Sequence, residues 1–177
     1  GDNYSTDTDI PPHSIGTTIS YRITAEDDNS ESTTTLVFTY TIVPPSYCTS
    51  TFTSGGVVCI NNTAFNTINN ASGEESSGYG DYTSISTDVV KGNSYNLAVS
   101  INTDGNFRYH CQAYIDWNRN YDFTDPGEEY DLGDITNVTS GVLPQNITVP
   151  AGASIGNTRM RINIQWSIDP GPCDSDH

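Results

Sequence analysis

Over residues 116–129 the chain reads Asp-Trp-Asn-Arg-Asn-Tyr-Asp-Phe-Thr-Asp-Pro-Gly-Glu-Glu, which sets oxygen-bearing side chains at alternate positions and follows them with more acids. A hard divalent cation takes about six to eight oxygen ligands, and a chain turning tightly around it supplies them from positions one, three, five and seven. Here those are Asp116, Asn118, Asn120 and Asp122, with Asp125 and Glu128 following. The pattern departs from the helix-loop-helix calcium motif in two places. Tyr121 stands where that motif needs Gly, and Glu128 falls one place beyond its bidentate acid. The expectation is a Ca2+ loop on a β scaffold, set against the plainer reading of a solvated acidic turn.

Catalytic chemistry has little to work with. A hydrolase needs a nucleophile with a base, paired carboxylates in a cleft, or a metal with an open position. His13 sits beside prolines, His110 adjoins Cys111, and His177 is terminal; neither His-Glu-x-x-His nor Gly-x-Ser-x-Gly occurs. With Asp116 and Asp122 better explained by an ion, the chain is expected not to be an enzyme.

Composition says where such a loop would work. The chain has 22 acidic and 6 basic residues, a formal charge of -16. Nucleic acid and anionic membrane surfaces are therefore excluded as partners of the whole molecule, and cations are favoured. Lys91 is the one lysine, while Thr, Ser, Asn, Asp and Gly crowd the sequence, an extracellular look. Hydrophobic residues make up 34% of 177, lean but sufficient for a two-sheet core. No apolar run has the length of a membrane span, and Gly1 opens on polar sequence without a signal peptide, as in a mature or excised fragment.

Cys48, Cys59, Cys111 and Cys173 form an even set with no Cys-x-x-Cys spacing and no histidine placed for zinc. Disulfides are expected. Three pairings are open; the preferred one joins Cys48 to Cys59 across a short turn and leaves Cys111 with Cys173, against free buried thiols.

The elements that must carry these residues alternate with a period of two. Ile19, Tyr21 and Ile23 alternate with polar residues, Glu26-Asp27-Asp28-Asn29-Ser30 makes a turn, and residues 35–42 form a second strand, hence a hairpin. Pro44-Pro45 cannot continue a sheet, so residues 44–46 read as a linker and a domain boundary. Beyond it, residues 57–68 read as one strand and 69–82 as a Gly/Ser/Asn loop. Tyr95-Leu97-Val99-Ile101, Cys111-Ala113-Ile115-Trp117, Ile147-Val149 and Met160-Ile162-Ile164-Trp166 then alternate. Short strands separated by turns predict an all-β fold, an antiparallel β-sandwich of jelly-roll or immunoglobulin-like form carrying the calcium loop.

Strand phase also suggests a ligand face. If Met160, Ile162, Ile164 and Trp166 face the core, then Arg159, Arg161, Asn163 and Gln165 face outward, and Tyr114 joins them should its strand be the neighbour. Guanidinium forks beside an aromatic ring suit a glycan carrying sulfate or carboxylate, unless the chain's own acids occupy both arginines. Trp117 and Trp166 are in phase with the core and are expected there, though Trp117 at the loop entrance has room for exposure. Tyr79, Tyr82 and Tyr121 fall in loops and are the better contacts.

Tyr47-Cys48, Ile68-Asn69-Asn70-Ala71-Ser72, Gly78-Tyr79-Gly80-Asp81-Tyr82-Thr83, Ile115-Asp116-Trp117-Asn118, Asp125-Pro126-Gly127-Glu128, Val149-Pro150-Ala151 and Thr158-Arg159-Met160-Arg161 together resemble the GEVED domain over roughly residues 47–173. That family occurs in large secreted proteins of Bacteroidetes-type bacteria, often beside peptidase, nuclease or polysaccharide-degrading domains. Its naming Gly-Glu-Val-Glu-Asp strand follows a Pro-Cys like Pro172-Cys173, and this chain stops at Asp174-Ser175-Asp176-His177 without it, which puts one sheet edge in question. Residues 1–43, with Ile10-Pro11-Pro12 and the run from Gly16 through Asp27, resemble the closing strands of an immunoglobulin- or fibronectin-type module. The resemblance implies a secreted, noncatalytic accessory module of a larger multidomain enzyme, residues 47–177 binding an extracellular polysaccharide, with acidic glycans included. Rival expectations are a module that binds fibrous, collagen-like protein for a peptidase, and a structural spacer.

Overall fold

The computed structural model describes residues 11–51, 58–75 and 77–174. Ile10, Val57 and His177, which entered the sequence reading, lie outside the described residues. The chain divides into two compact units, Gly1–Ser46 and Tyr47–His177.

In the first unit β1 (Thr18–Tyr21) pairs antiparallel with β4 (Phe38–Thr41), and β2 (Thr24–Glu26) with β3 (Ser32–Thr34), a hairpin with a broken ladder. Its turn is held by Asp27 Oδ1, which accepts from the N–H groups of Asn29 and Glu31, each at 2.9 Å. Tyr21 stacks on Phe38 at 5.5 Å, but no described residue of this unit is buried. Ribbons of this size have little independent stability.

The second unit holds β5 (Cys59–Phe65), β6 (Ile68–Ala71), β7 (Ser94–Asn102), β8 (Arg108–Ile115), β9 (Glu129–Thr136), β10 (Gly141–Thr148) and β11 (Met160–Trp166). All pairings are antiparallel, in sheets ordered β10-β7-β5-β6 and β11-β8-β9. The described chain is all-β, and the two sheets form the antiparallel sandwich that the period of two predicts. Leu97, Val99 and Ile101 of β7 and Ile147 of β10 face Cys111, Ala113 and Ile115 of β8, and all are 0–2% exposed. Each large aliphatic so buried contributes about 1.5–3 kcal/mol. Pro144 has no N–H to give a ladder, and it sits in β10, an edge strand.

Two local departures have clear causes. The single strand expected over 57–68 is instead a strand and a turn: Phe65 pairs with Ile68, and Asn66, at φ 51, opens a two-residue turn into β6. β9, not anticipated, carries a bulge against β8 between Cys111 and Gln112, where Gly133 has φ 88 and donates its N–H to Asp131 Oδ1 at 2.7 Å.

The expected cysteine pairing is overturned. Cys48 bonds Cys173, across 125 positions, and Cys59 and Cys111 are free. Cys48 lies beside Arg161 on the outer face of the three-stranded sheet, whereas Cys59 opens a strand of the other sheet, so sequence proximity did not become spatial proximity. Cys111 fills the core, where burial, with the charge of Asp131, pushes its thiol up to about 12 and leaves it unreactive.

Candidate functional site

The loop between β8 and β9 is built around Asp116, which is wholly buried. Arg119 and Tyr121 adopt φ of 64° and 70°, and this alternation turns successive N–H groups to one side. Asp116 Oδ1 accepts from the N–H groups of Arg119 at 2.6 Å and Asn120 at 3.2 Å. Its Oδ2 accepts from the Tyr121 N–H at 3.0 Å and the Tyr47 hydroxyl at 2.7 Å. Burial, reinforced by that bond, pushes the Tyr47 hydroxyl up to about 12, which keeps it a donor.

Asx turns carry the chain onward. The N–H of Asn120 reaches Asn118 Oδ1 at 3.0 Å, that of Asp122 reaches Asn120 Oδ1 at 2.9 Å, and that of Thr124 reaches Asp122 Oδ1 at 3.0 Å. Those N–H bonds, from Thr124 first and then Phe123, hold the Asp122 carboxyl below the usual carboxylate range. Asp125-Pro126-Gly127-Glu128 closes as a turn with Gly127 at φ 90 and the Glu128 N–H on the Asp125 carbonyl at 3.2 Å. Arg119 then ties the loop to its neighbour, giving Nη1–H to Ile155 O at 2.8 Å and Nε–H to Asn157 O at 3.0 Å.

The six expected ion ligands separate into two groups. Asp116 and Asp122 organise backbone. Asn118 and Asn120 instead converge on Asp125, their Nδ2 groups 2.8 and 2.6 Å from its Oδ2. Asn118, Asp125 and Glu128 also line a hollow of about 170 Å³ floored by Pro150 and Ala153. Glu128 is 3% exposed; its Oε1 accepts from the N–H groups of Trp117 at 2.7 Å and Asn118 at 3.2 Å, while Oε2 is buried without a partner. Burial pushes this carboxyl above the usual range, against those two bonds. An unpartnered buried carboxylate oxygen beside Asp125 suits a hard cation, but Asn118 and Asn120 turn Nδ2 toward Asp125 and spend Oδ1 on the N–H groups of Asn120 and Asp122, so their oxygens reach an ion only if those turns open. Among the described residues no three His, Cys, Asp or Glu side chains are grouped to hold a metal, so a cation here depends on Asn and main-chain oxygens as well.

The expected ligand face is not at the surface. β11 does lie beside β8, with Arg161 opposite Tyr114 and Asn163 opposite Gln112, but Arg161, Asn163, Gln165 and Tyr114 are 2–5% exposed. Residues 47–51 and 167–174 cover them. Arg161 donates from Nη2 to Cys48 O at 2.9 Å and from Nη1 to Pro172 O, and its guanidinium lies 5.1 Å from the Phe123 ring centre. Asn163 Nδ2 gives a hydrogen bond to Gly171 O at 2.7 Å, and the Tyr114 hydroxyl to Pro170 O. His110 Nδ1, 2.5 Å from Asp134 and 2.9 Å from Asp169, pins the same segment. Alternation shows that two faces differ; it cannot show that strandless segments cover the polar one. Arg159 is half-buried over Tyr47, at 4.8 Å, and of the expected contacts Tyr121 and Tyr82 are exposed.

An unexpected feature is open instead. A cleft of about 1300 Å³ lies between the sheets along β11, walled by β5, β6 and the segment leading to β7. β11 is an edge strand, and Met160, Ile162 and Ile164 are only partly buried there. Tyr79 and Tyr82 line it, together with Phe107, Tyr109 and Trp166. Trp117 is in the core as its phase predicts, but Trp166 is 61% exposed, contrary to the same rule. It is the last residue of its strand, just before Ser167 at φ 64, an ending that the sequence does not mark.

Residues 110–177 match the family model of the GEVED domain. The match opens within β8 and takes in the Asp116 loop, β9, β10, β11 and Cys173. No curated protein matches the chain.

Proposed function

We propose that this chain is a noncatalytic accessory module of a secreted, multidomain enzyme, and that its GEVED-matching unit binds an extracellular polymer, polysaccharide first, in the cleft beside β11. The observation that carries the reading is the cleft itself, with aromatic rings and carboxylates together on its walls. Polymer-binding sites need length, apolar faces and a few fixed polar groups, and rigid strands supply the precision. The test is retention of the chain on soluble and insoluble glycans by affinity electrophoresis and pull-down. Retention on none of them removes the polysaccharide reading.

A second reading, a module holding a protein substrate, is favoured by β11 as an edge strand, since an extended peptide adds to such an edge through main-chain hydrogen bonds. Selective pull-down on insoluble collagen would move the assignment there.

Ca2+ at Asn118, Asn120, Asp125 and Glu128 would stiffen the opposite end of β8 from Trp166. Linkage gives about 2.7 kcal/mol at a hundred times the dissociation constant. Melting in millimolar Ca2+ is therefore expected several degrees above melting in chelator, and the increment should vanish in Asp125→Ala. Identical curves, with no metal by elemental analysis, would remove the ion from the proposal.

A further inference from the structure

We infer that the Trp166 end of the cleft is a subsite for the flat face of an uncharged hexopyranose unit in a glycan chain, an assignment that rests on the polymer-binding reading above. β11 and β8 are registered so that Trp166 lies opposite Tyr109, which places both side chains on one face of the sheet. Phe107 precedes β8 directly and lines the same cleft. Trp166 and Phe107 are 61% and 50% exposed. Strand phase sends Trp166 to the side of Ile162 and Ile164, but the ring falls past the end of the packed core. A Cβ built on Gly105, at φ 111, would lie 3.8 Å from the Phe107 ring, so that ring rests over the turn.

Large apolar rings fixed on a strand and left in water call for a ligand that is itself amphipathic. A pyranose is such a ligand: its axial C–H groups lie against an aromatic face while its hydroxyls remain free to donate. Acceptors stand nearby. Asp104 is close enough for its charge to act on Tyr109, and Glu74 for its charge to act on Cys59, and both acids line the cleft.

The same two carboxylates decide the class of sugar. They repel uronate and sulfate groups at short range, as the net charge of -16 does at long range. The cleft's cations do not offset this at the Trp166 end. Lys91 precedes the start of β7, Arg119 is bonded to the carbonyls of Ile155 and Asn157, Arg159 lies over Tyr47 at the start of β11, and Arg161 is buried under residues 48 and 172; Arg108, which is beside Tyr109 and donates to Ser167 O, is neutralised by Asp134 at 3.5 Å. The acidic glycan expected from strand phase gives way to a neutral one.

Affinity electrophoresis of the full chain against hydroxyethylcellulose, laminarin, galactomannan, polygalacturonate and chitosan tests this. At least one neutral glycan should retard the wild type, and Trp166→Ala and Phe107→Ala should each weaken that retardation about tenfold, the size expected of one lost stacking contact. Both residues are exposed, so melting temperatures should stay within about 2 °C of wild type. Undiminished retardation of the Trp166→Ala, Phe107→Ala double variant overturns the subsite and leaves polymer binding standing. Retardation by polygalacturonate or chitosan alone overturns the uncharged ligand, and retardation by none, together with failed pull-downs on insoluble glycan and collagen, defeats both readings.

Discussion

Replacing Asp116 with Ala is expected to lower stability by about 4 kcal/mol or more, because four donors lose their acceptor at a residue wholly buried from solvent. Three of the four are main-chain N–H groups, those of Arg119, Asn120 and Tyr121, and the fourth is the Tyr47 hydroxyl. Without the carboxylate, Arg119 and Tyr121 lose the acceptor of their N–H groups that favours positive φ, a conformation unfavourable for side chains of their size. Asp122→Ala serves as the reference, since Asp122 is exposed and its two N–H donors can turn to solvent. Its replacement should cost much less. Chemical denaturation of the two variants decides the matter: equal losses would mean that Asp116 does not organise the loop.

Reduction of the Cys48–Cys173 bond is expected to have a comparable effect for a different reason. The bond closes 125 positions of chain, and loop closure on that scale is worth about 4–5 kcal/mol. What it closes over is costly to cover. Gln112 Oε1, Arg161 Nε and both side-chain polar atoms of Gln165 are buried without partners, so the face beneath residues 47–51 and 167–174 does not favour burial by itself. Melting in reductant, or of Cys48→Ser with Cys173→Ser, should fall by roughly 10–20 °C. Cys59→Ser should not move it, and a reductant-insensitive melting curve would show that the cover is held by packing alone.

The part of the fold that was legible in sequence is the part governed by period. Leu97, Val99 and Ile101, or Cys111, Ala113 and Ile115, announce a buried face because every second side chain must share it. The same rule misleads at Arg161, Asn163 and Gln165. Their partners are carbonyls of Cys48, Pro172 and Gly171, and nothing about a strand's own sequence says that distant irregular segments will lie over it. Trp166 fails in the opposite sense, because phase gives a side of the sheet and not where the other sheet ends. In the loop, alternate oxygens were plain to read, but their division was not. That Asp116 binds N–H groups while Asn118 and Asn120 meet at Asp125 depends on positive φ at Arg119 and Tyr121, and neither residue type advertises it.

The covalent clasp has a mechanical meaning as well. Cys48 lies at the entrance of the second unit and Cys173 near its exit, with their Cα atoms 5.5 Å apart. A pull arriving along the chain from Ser46 and leaving beyond Asp174 passes through the sulfur bridge, the shortest covalent path. The 124 residues enclosed between the two cysteines bear none of that tension while the bridge is oxidised. Sheets that would unzip strand by strand under load are bypassed, and the cleft between them keeps its shape under tension along the chain.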